Sequence, residues 1–283
     1  MSAITRQTIE DEVYRTIDET SSNSYFTTTD ICQFANRELE HLAANFPIRM
    51  ASFQITGDGV TLDWLIPEPI HKIIALEEGQ TFTPPRTFVD IIGAGGLRTT
   101  LTRDLFTSYG FSFRPPQTIR IEKTLSTGEN RTLWALAGVG RLNPTAISDS
   151  SVTVTKGSKV ITLADDASIA SAAHLDAITV TAASGTKYGV VDSVDSAANT
   201  VTMTEEWDLT TDAAASITIG SEVGLWESWL DVIVFGVCRR LAQKESNFQV
   251  AEYWANQYAM EKRRKRAEYE RVARADSERF FSF

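Results

Sequence analysis

The strongest hydrophobic pattern in the chain runs from Leu225 to Lys244. Its apolar residues recur at intervals of three and four positions: Trp226, Trp229, Leu230, Ile233, Val234, Val237 and Leu241. This spacing places them on one side of a helix. The opposite side carries acids in its first half and bases in its second half, which is the order that the helix dipole favours. The pattern predicts a core helix near the C-terminus.

Three further segments have helical spacing. Ile9, Val13 and Ile17 predict a short first helix, and a second is predicted from the cap cluster Thr27–Asp30 to Pro47. A last helix follows the break at Ser246-Asn247. We predict that these N- and C-terminal helices pack as one bundle. Its predicted core residues are Phe34, Leu39, Leu42, Trp226, Trp229, Ile233 and Val237.

The middle of the chain has the alternating pattern of β-strands. Residues 52–56 and 60–66 flank the turn Gly57-Asp58-Gly59, which predicts a hairpin, and residues 71–76, 118–123 and 132–142 predict three more strands. Between them, residues 79–117 are rich in Gly and Pro, with regular structure suggested only at Asp90–Ile92 and Leu101–Tyr109. We expect that segment to be extended.

The composition changes at about Ile147. Residues 148–220 are rich in Ser, Thr, Ala and Asp, and six short alternating stretches are separated by turn residues. These observations predict an α+β protein: a helical bundle with a small β-sheet region and an inserted all-β domain of sandwich or barrel type. The predicted division is 1–147 with 221–283 for the first domain and 148–220 for the second.

Charge is unevenly distributed along the chain. Residues 261–279 hold 8 Lys/Arg and 5 Asp/Glu, so that the rest of the chain, from totals of 27 and 37, carries 19 bases and 32 acids. An acidic body with a basic C-terminal segment favours a docking tail over adhesion of the whole surface to nucleic acid. The two cysteines, Cys32 and Cys238, lie in predicted helices beside apolar positions, where free cysteine acts as a small hydrophobic residue.

The sequence contains no convincing catalytic or cofactor motif. The stretch Val89–Arg98 resembles a dinucleotide fingerprint, but Arg98 stands at the third glycine position and no long helix follows. His41, His71 and His174 lack paired metal-ligand spacing. The acid pairs Glu77-Glu78, Asp165-Asp166 and Glu205-Glu206 fall at predicted turns, where solvated pairs are common. We therefore predict a protein that is not an enzyme and needs no cofactor or metal.

No apolar run approaches the roughly 20 residues of a membrane-spanning helix, and the N-terminus lacks the apolar block of a signal peptide. We therefore expect a soluble protein made in the cytoplasm, without membrane contact.

The basic run Lys262–Arg266 has three interpretations: a solvated helix face, a nucleic-acid contact, or a contact with an acidic partner. Five consecutive charges leave no apolar side for helix packing. The chain then ends in Phe280, Phe281, Ser282 and Phe283, and exposed aromatic residues at a chain end suggest insertion into a pocket, unless they fold back on their own subunit.

The chain resembles the head-to-tail adaptor (connector, or neck) proteins of tailed bacteriophages. The similarity lies in the helix TTTDICQFANRELEHLAANFP, in the hairpin and the segment PEPIHKIIAL that follow, and in the closing pair of helices with an aromatic, basic tail. It covers roughly residues 1–145 and 221–270, without an invariant motif, and leaves the β insertion outside.

The resemblance implies a virion protein of the neck, assembled in the host cytoplasm as a ring of twelve copies. Such a ring docks beneath the portal protein, meets a tail or nozzle protein, and extends the channel through which double-stranded DNA passes without specific binding. Residues Arg263, Arg264, Arg266, Phe280, Phe281 and Phe283 occupy the place of the portal-docking arm. An acidic balance suits such a channel, because a lining that attracted phosphates would retain the passing DNA.

Two other functional classes stay open. A carbohydrate-binding or lytic tail component would use the β insertion, with Trp207 and Tyr188 as an exposed platform for sugars. A DNA-binding protein would use the basic C-terminal helix, with a steep dependence on salt.

Overall fold

The computed structural model describes residues 3–18, 25–46, 48–78, 111–114, 117–121, 124–164 and 169–280. It has both helices and strands, which confirms the α+β class. The helices are α1 (Arg6–Thr16), α2 (Thr28–Asn45), α3 (Leu230–Lys244) and α4 (Phe248–Phe280). The strands are β1 (Ala3–Thr5), β2 (Met50–Thr56), β3 (Asp63–Leu65), β4 (Ile70–Glu78), β5 (Phe111–Arg114), β6 (Thr118–Ile121), β7 (Asn130–Ala137), β8 (Ile147–Val154), β9 (Val160–Thr162), β10 (Ala177–Ala182), β11 (Gly185–Asp195), β12 (Thr200–Met203), β13 (Asp212–Ile219) and β14 (Glu222–Trp226).

The chain forms two compact units with boundaries that differ from the predicted ones. The first contains Met1–Asn45 and Val139–Arg263, and the second contains Phe46–Gly138 and Arg264–Phe283. The first unit therefore holds α1–α3, the inserted β region and α4 as far as Arg263, and the rest of α4 belongs to the second. The second holds the sheets of the middle of the chain.

In the first unit, α1, α2 and α3 pack on one another. Thr5 caps α1, since its hydroxyl accepts a hydrogen bond from the Thr8 amide at 3.0 Å. The core helix predicted from Leu225 begins only at Leu230, because residues 222–226 form β14 and pair with β1. A strand partner from the N-terminus thus overrides the helical spacing at the start of that segment.

Four of the predicted core residues are buried: Leu39, Leu42, Ile233 and Val237 are at most 1% exposed. Phe34 and Trp229 are only partly buried, so the prediction of a fully buried site was wrong for these two. The Arg37 guanidinium lies over the Phe34 ring, 5.8 Å from its centroid. Trp229 lies in a 3-10 turn before α3. Trp226 has its backbone in β14, and its side chain lies outside what the structure describes.

The inserted region is a closed antiparallel barrel with the strand order β10-β11-β12-β9-β8-β13. All six strands correspond to predicted strands. The inward-facing residues are apolar and nearly inaccessible to water, as expected for a small barrel filled by its own side chains. They include Val152, Val180, Val191, Val201 and Trp207. The predicted all-β insertion is therefore a barrel with its own core.

The barrel is joined to the helices by the segment 141–144. The side chain of Asn36 in α2 forms two hydrogen bonds with the backbone of Leu142: its Nδ2 donates to the carbonyl at 2.8 Å, and its Oδ1 accepts from the amide at 2.7 Å. The Arg6 guanidinium donates to the carbonyls of Asn143, at 3.1 Å, and Pro144. On the barrel side, the Asn143 amide donates to the Gly220 carbonyl at 2.9 Å.

The second unit contains two three-stranded sheets, ordered β2-β7-β4 and β3-β6-β5. The predicted hairpin across Gly57-Asp58-Gly59 was wrong, because β2 pairs with β7 and β3 pairs with β6. Gly57 instead approaches the loop before β7, where an added Cβ would lie 2.3 Å from the Ser126 carbonyl oxygen. Both sheets contribute to one apolar core that includes Phe53, Ile119 and Leu133. The predicted segments Asp90–Ile92 and Leu101–Tyr109 lie outside the described residues.

Candidate docking surface

The helix α4 has 33 residues and, at about 1.5 Å per residue, is about 50 Å long. It follows α3 after a turn of three residues in which Ser246 has a positive φ of 60°. Asn247 caps its start, because its Oδ1 accepts from the Val250 amide at 3.3 Å. The predicted break at Ser246-Asn247 is therefore the connection between the two helices.

The helix α4 carries four exposed apolar residues, which we call the α4 apolar patch. It consists of Phe248, Val250, Tyr253 and Met260, which are 72%, 42%, 54% and 62% exposed. Three of them lie on one side of the helix, and Phe248, in the first turn, lies roughly 120–160° from them around the axis. All four fall within the thirteen residues from 248 to 260, whereas the described chain outside this helix exposes only five large apolar residues. Such clustering on one helix is typical of a surface that meets another protein.

The basic run follows the patch on the same helix. Arg263, Arg264 and Arg266 are exposed, and Arg264 continues the spacing of Val250, Tyr253 and Met260 along the helix. The prediction that the five basic residues lack packing was wrong for two of them. Lys262 lies 5.8 Å from the centre of the Tyr258 ring, and Lys265 is 6% exposed and pairs with Glu268 at 3.1 Å. A lysine can bury its methylene chain while its ammonium group stays paired.

Of the predicted aromatic docking residues, Phe280 ends the helical backbone of α4. Phe281 and Phe283 lie outside the residues that the structure describes. The three predicted arginines are thus exposed residues of α4. The exposure of the α4 apolar patch was not predicted from the sequence.

The opposite side of α4 holds the helix against α2 and α3. Ala251 and Tyr258 are each 5% exposed. The Trp254 ring stacks on Phe235 of α3, with centroids 5.6 Å apart, and the Arg239 guanidinium lies 4.9 Å from the centre of the Tyr258 ring. The surface of α4 is therefore presented by a helix that is anchored along its other side.

A buried carboxylate lies at the centre of this anchor. Glu38 of α2 is fully buried, and its Oε1 accepts from Arg239 Nη2 at 3.0 Å and from Arg240 Nε at 2.5 Å. Gly236 makes room for it: an added Cβ would lie 2.6 Å from Glu38 Cγ and 2.9 Å from Oε2. A buried carboxylate is tolerated only when it is well paired, so the two arginines are needed once Glu38 is present.

Tyr258 and His41 extend this cluster to the surface. The Tyr258 hydroxyl lies 2.8 Å from His41 Nδ1, and Lys262 Nζ lies 3.4 Å from His41 Nε2. Burial, followed by the nearby Glu38 carboxylate, raises the pKa of Tyr258. Burial, followed by the Lys262 ammonium, lowers the pKa of His41. We call these six residues (Glu38, His41, Arg239, Arg240, Tyr258 and Lys262) the α4 anchor cluster.

The anchor cluster was not predicted from the sequence, although the sequence contains a signal of it. Glu38 shares the helical spacing of Ile31, Ala35 and Leu42 and so interrupts the apolar side of α2. Gly236 likewise interrupts the apolar side of α3. A charged residue on one apolar face and a glycine on another are what a buried ion pair between two helices requires.

The cysteines are unsuited to nucleophilic chemistry. Burial raises the pKa of both Cys32 and Cys238 to about 12, so that neither is a thiolate near neutral pH. In the described ranges, no three residues of the His, Cys, Asp and Glu types are grouped in a way that could hold a metal ion. None of the helices in that part of the chain has the length and apolar character to cross a membrane.

The proposed sugar platform is contradicted at Trp207. This side chain is 1% exposed in the barrel core, and its Nε1 donates to the Thr210 carbonyl at 2.8 Å. Tyr188 is 36% exposed, and its ring lies against Gly224 of β14, where an added Cβ would be 2.7 Å from Tyr188 Cβ. The two aromatic rings therefore do not form one exposed surface.

No protein-family model matches this chain, and no curated protein matches it either.

Proposed function

We propose that this protein is a structural subunit of a phage head-to-tail adaptor ring, and that the exposed side of α4 is its docking surface. The observation that carries the proposal is the exposure of the α4 apolar patch on an anchored helix, and the exposed arginines Arg263, Arg264 and Arg266 follow it in the sequence. Its family context rests on the resemblance of the helices and of the segment PEPIHKIIAL to the adaptor proteins.

In this proposal α1, α2, α3 and the first half of α4 form the helical bundle of the adaptor. The packing of α1, α2 and α3 and the anchoring of α4 through Trp254 and Tyr258 support a bundle. The ring of twelve copies docks beneath the portal, meets a tail or nozzle protein, and lies in the neck of the virion. Double-stranded DNA passes through its channel without specific binding.

The two parts of the surface have different physical roles in docking. Exposed aromatic residues such as Phe248 and Tyr253 can supply about 2 kcal/mol or more each when a partner buries them. The arginines accelerate and orient the encounter with an acidic partner, in a manner that salt weakens. Repetition around a ring increases the strength of attachment without any new contact.

The first test uses electron microscopy of the purified protein, alone and mixed with a portal ring. We expect rings that cap the portal. Deletion of residues 276–283 should leave the subunit folded and abolish its attachment to DNA-filled heads, because it removes the terminal phenylalanines. If the truncated protein joins heads at wild-type occupancy, the tail is not part of the docking surface.

A second test reverses two exposed charges of the docking surface. Arg263→Glu with Arg264→Glu should weaken attachment, and the effect should shrink at high salt because the contact is electrostatic. The matched control is Arg15→Glu with Lys156→Glu, which changes the net charge equally at two other exposed positions. Equal loss in both variants would show that net charge, not this surface, governs attachment.

The same variants address the DNA-binding alternative. A gel-shift series with duplex DNA should show weak binding that does not depend on Arg263 and Arg264. Tight, steeply salt-dependent binding that the double reversal removes would favour a DNA-binding protein instead.

A further inference from the structure

The donors and acceptors of the α4 anchor cluster can be assigned in order, starting from Lys262. A lysine ammonium only donates, so Lys262 donates to His41 Nε2. The proton of the neutral imidazole is then on Nδ1, which donates to the Tyr258 hydroxyl at 2.8 Å. That hydroxyl is left to donate towards the Glu38 carboxylate, whose closeness contributes to its raised pKa. Arg239 and Arg240 both pair with Oε1 of Glu38, and Oε2 accepts no hydrogen bond from the described residues.

This chain of hydrogen bonds works only with a neutral histidine. A protonated imidazole donates from both nitrogens and therefore cannot accept from Lys262. Its positive charge would also be placed beside three cations, Lys262 of α4 and Arg239 and Arg240 of α3, against the single carboxylate of Glu38. Two of the contacts that hold α4 to α2, His41 to Tyr258 and His41 to Lys262, share this ring.

We propose that His41 is a pH-sensitive latch that holds α4 against α2 above the ordinary pKa of histidine and loosens it on acidification. The latch regulates the presentation of the docking surface, and only this purpose rests on the proposed function. The loosening itself is a property of the single subunit.

The sign of the effect follows from the pKa of His41. In the closed state, burial and the neighbouring cations lower the pKa of His41 below the ordinary value for histidine, about 6.5. Opening of α4 would return the pKa to that value. The open state therefore binds more protons between the two pKa values, and closure is favoured less as the pH falls below about 6.5. In that window each fall of one pH unit can raise the fraction of subunits with α4 open by up to about tenfold.

The experiment measures hydrogen exchange of the backbone amides of residues 248–262 by mass spectrometry, corrected for the intrinsic effect of pH. In the wild-type subunit, protection of this segment should fall several-fold or more between pH 7.5 and pH 5. His41→Gln, which cannot be protonated, should abolish this pH dependence. His174→Gln is the matched control, since His174 is exposed in the barrel and contacts the Asp192 carbonyl, and it should retain the wild-type behaviour.

Two outcomes would overturn the latch: protection of α4 that does not depend on pH in the wild type, or the same pH dependence in His41→Gln. A nitrogen-15 spectrum of the histidine ring adds an independent check, because the latch requires the proton on Nδ1 at neutral pH. These measurements use the free subunit, so their failure leaves the docking proposal untouched. Failure to dock on portals would in turn leave the latch intact.

Discussion

At the residue scale, the buried position of Glu38 in α2 depends on the glycine at position 236 in α3. A carboxylate that is 0% exposed requires both Arg239 and Arg240, and the close approach of α2 to α3 at this point requires a residue without a Cβ. Glycine in a helix interior costs about 1 kcal/mol relative to alanine. The cluster offsets this cost by anchoring three helices at one point.

Gly236→Ala should therefore destabilise the protein despite the better helix propensity of alanine. Its Cβ would lie within 2.9 Å of three Glu38 atoms that two arginines hold in place. We expect a loss of about 1–3 kcal/mol in the free energy of unfolding, measured by urea denaturation. Gly138→Ala is the control, because an added Cβ there would meet no atom within 4 Å. Its free energy of unfolding should stay within about 0.5 kcal/mol of the wild-type value. Equal stability of both variants would show that Glu38 can move aside.

At the element scale, spacing predicted the helices better than it predicted strand partners. The second helix was predicted from the cap cluster at Thr27–Asp30 to Pro47, and α2 spans Thr28–Asn45. The six barrel strands were also found, since alternation over a buried face is a local signal. The partner of β2 is β7, far along the chain, and no local pattern carries that information.

The burial of α2 leads to a quantitative expectation. Leu42 is 0% exposed, so Leu42→Ala should lower the free energy of unfolding by about 2–5 kcal/mol. Gln33→Ala on the exposed side of the same helix should change it by less than about 0.5 kcal/mol. Urea denaturation monitored by circular dichroism measures both. A small loss for Leu42→Ala would show that the packing around this side chain is looser than its burial indicates.

The same reasoning revises the expectation for Trp229. A fully buried aromatic residue costs about 3–5 kcal/mol when cut to alanine, but Trp229 is only partly buried. Trp229→Ala should accordingly cost less than Leu42→Ala. The opposite order would show that the 3-10 turn before α3 contributes more to stability than its exposure suggests.

At the scale of the whole molecule, the barrel shares a compact unit with the helices and yet has a core of its own. Its two connections to the chain lie side by side, since the Asn143 amide donates to the Gly220 carbonyl at 2.9 Å. Both are also held from the helical side: Leu142 by Asn36, and Ser221 by the Arg6 amide, which donates to its carbonyl at 2.7 Å. The composition of the chain predicted the inserted domain. The hydrogen bonds that hold its two connections against the helices could not be predicted from the sequence.

Joining Asn143 to Ser221 through a short Gly/Ser linker should therefore remove the barrel and leave the helices folded. The variant should keep its helical circular dichroism and melt cooperatively, although the contact of Tyr188 with Gly224 is lost. Residues 147–219 produced alone serve as the companion, and they should fold because the barrel core is internal. A molten or insoluble helical product would show that the helices depend on the barrel.

The closure of the barrel has a consequence for crowding. An open sheet presents unpaired backbone groups to which a neighbouring chain can add a strand, and this risk grows when many copies are held at high local concentration. In the six-stranded barrel each strand is hydrogen-bonded on both sides, from β10 round to β13 and back. Many copies of this module can therefore stand close together without fusing through their sheets, which leaves the side chains of its outer surface as the variable part on which selection can act.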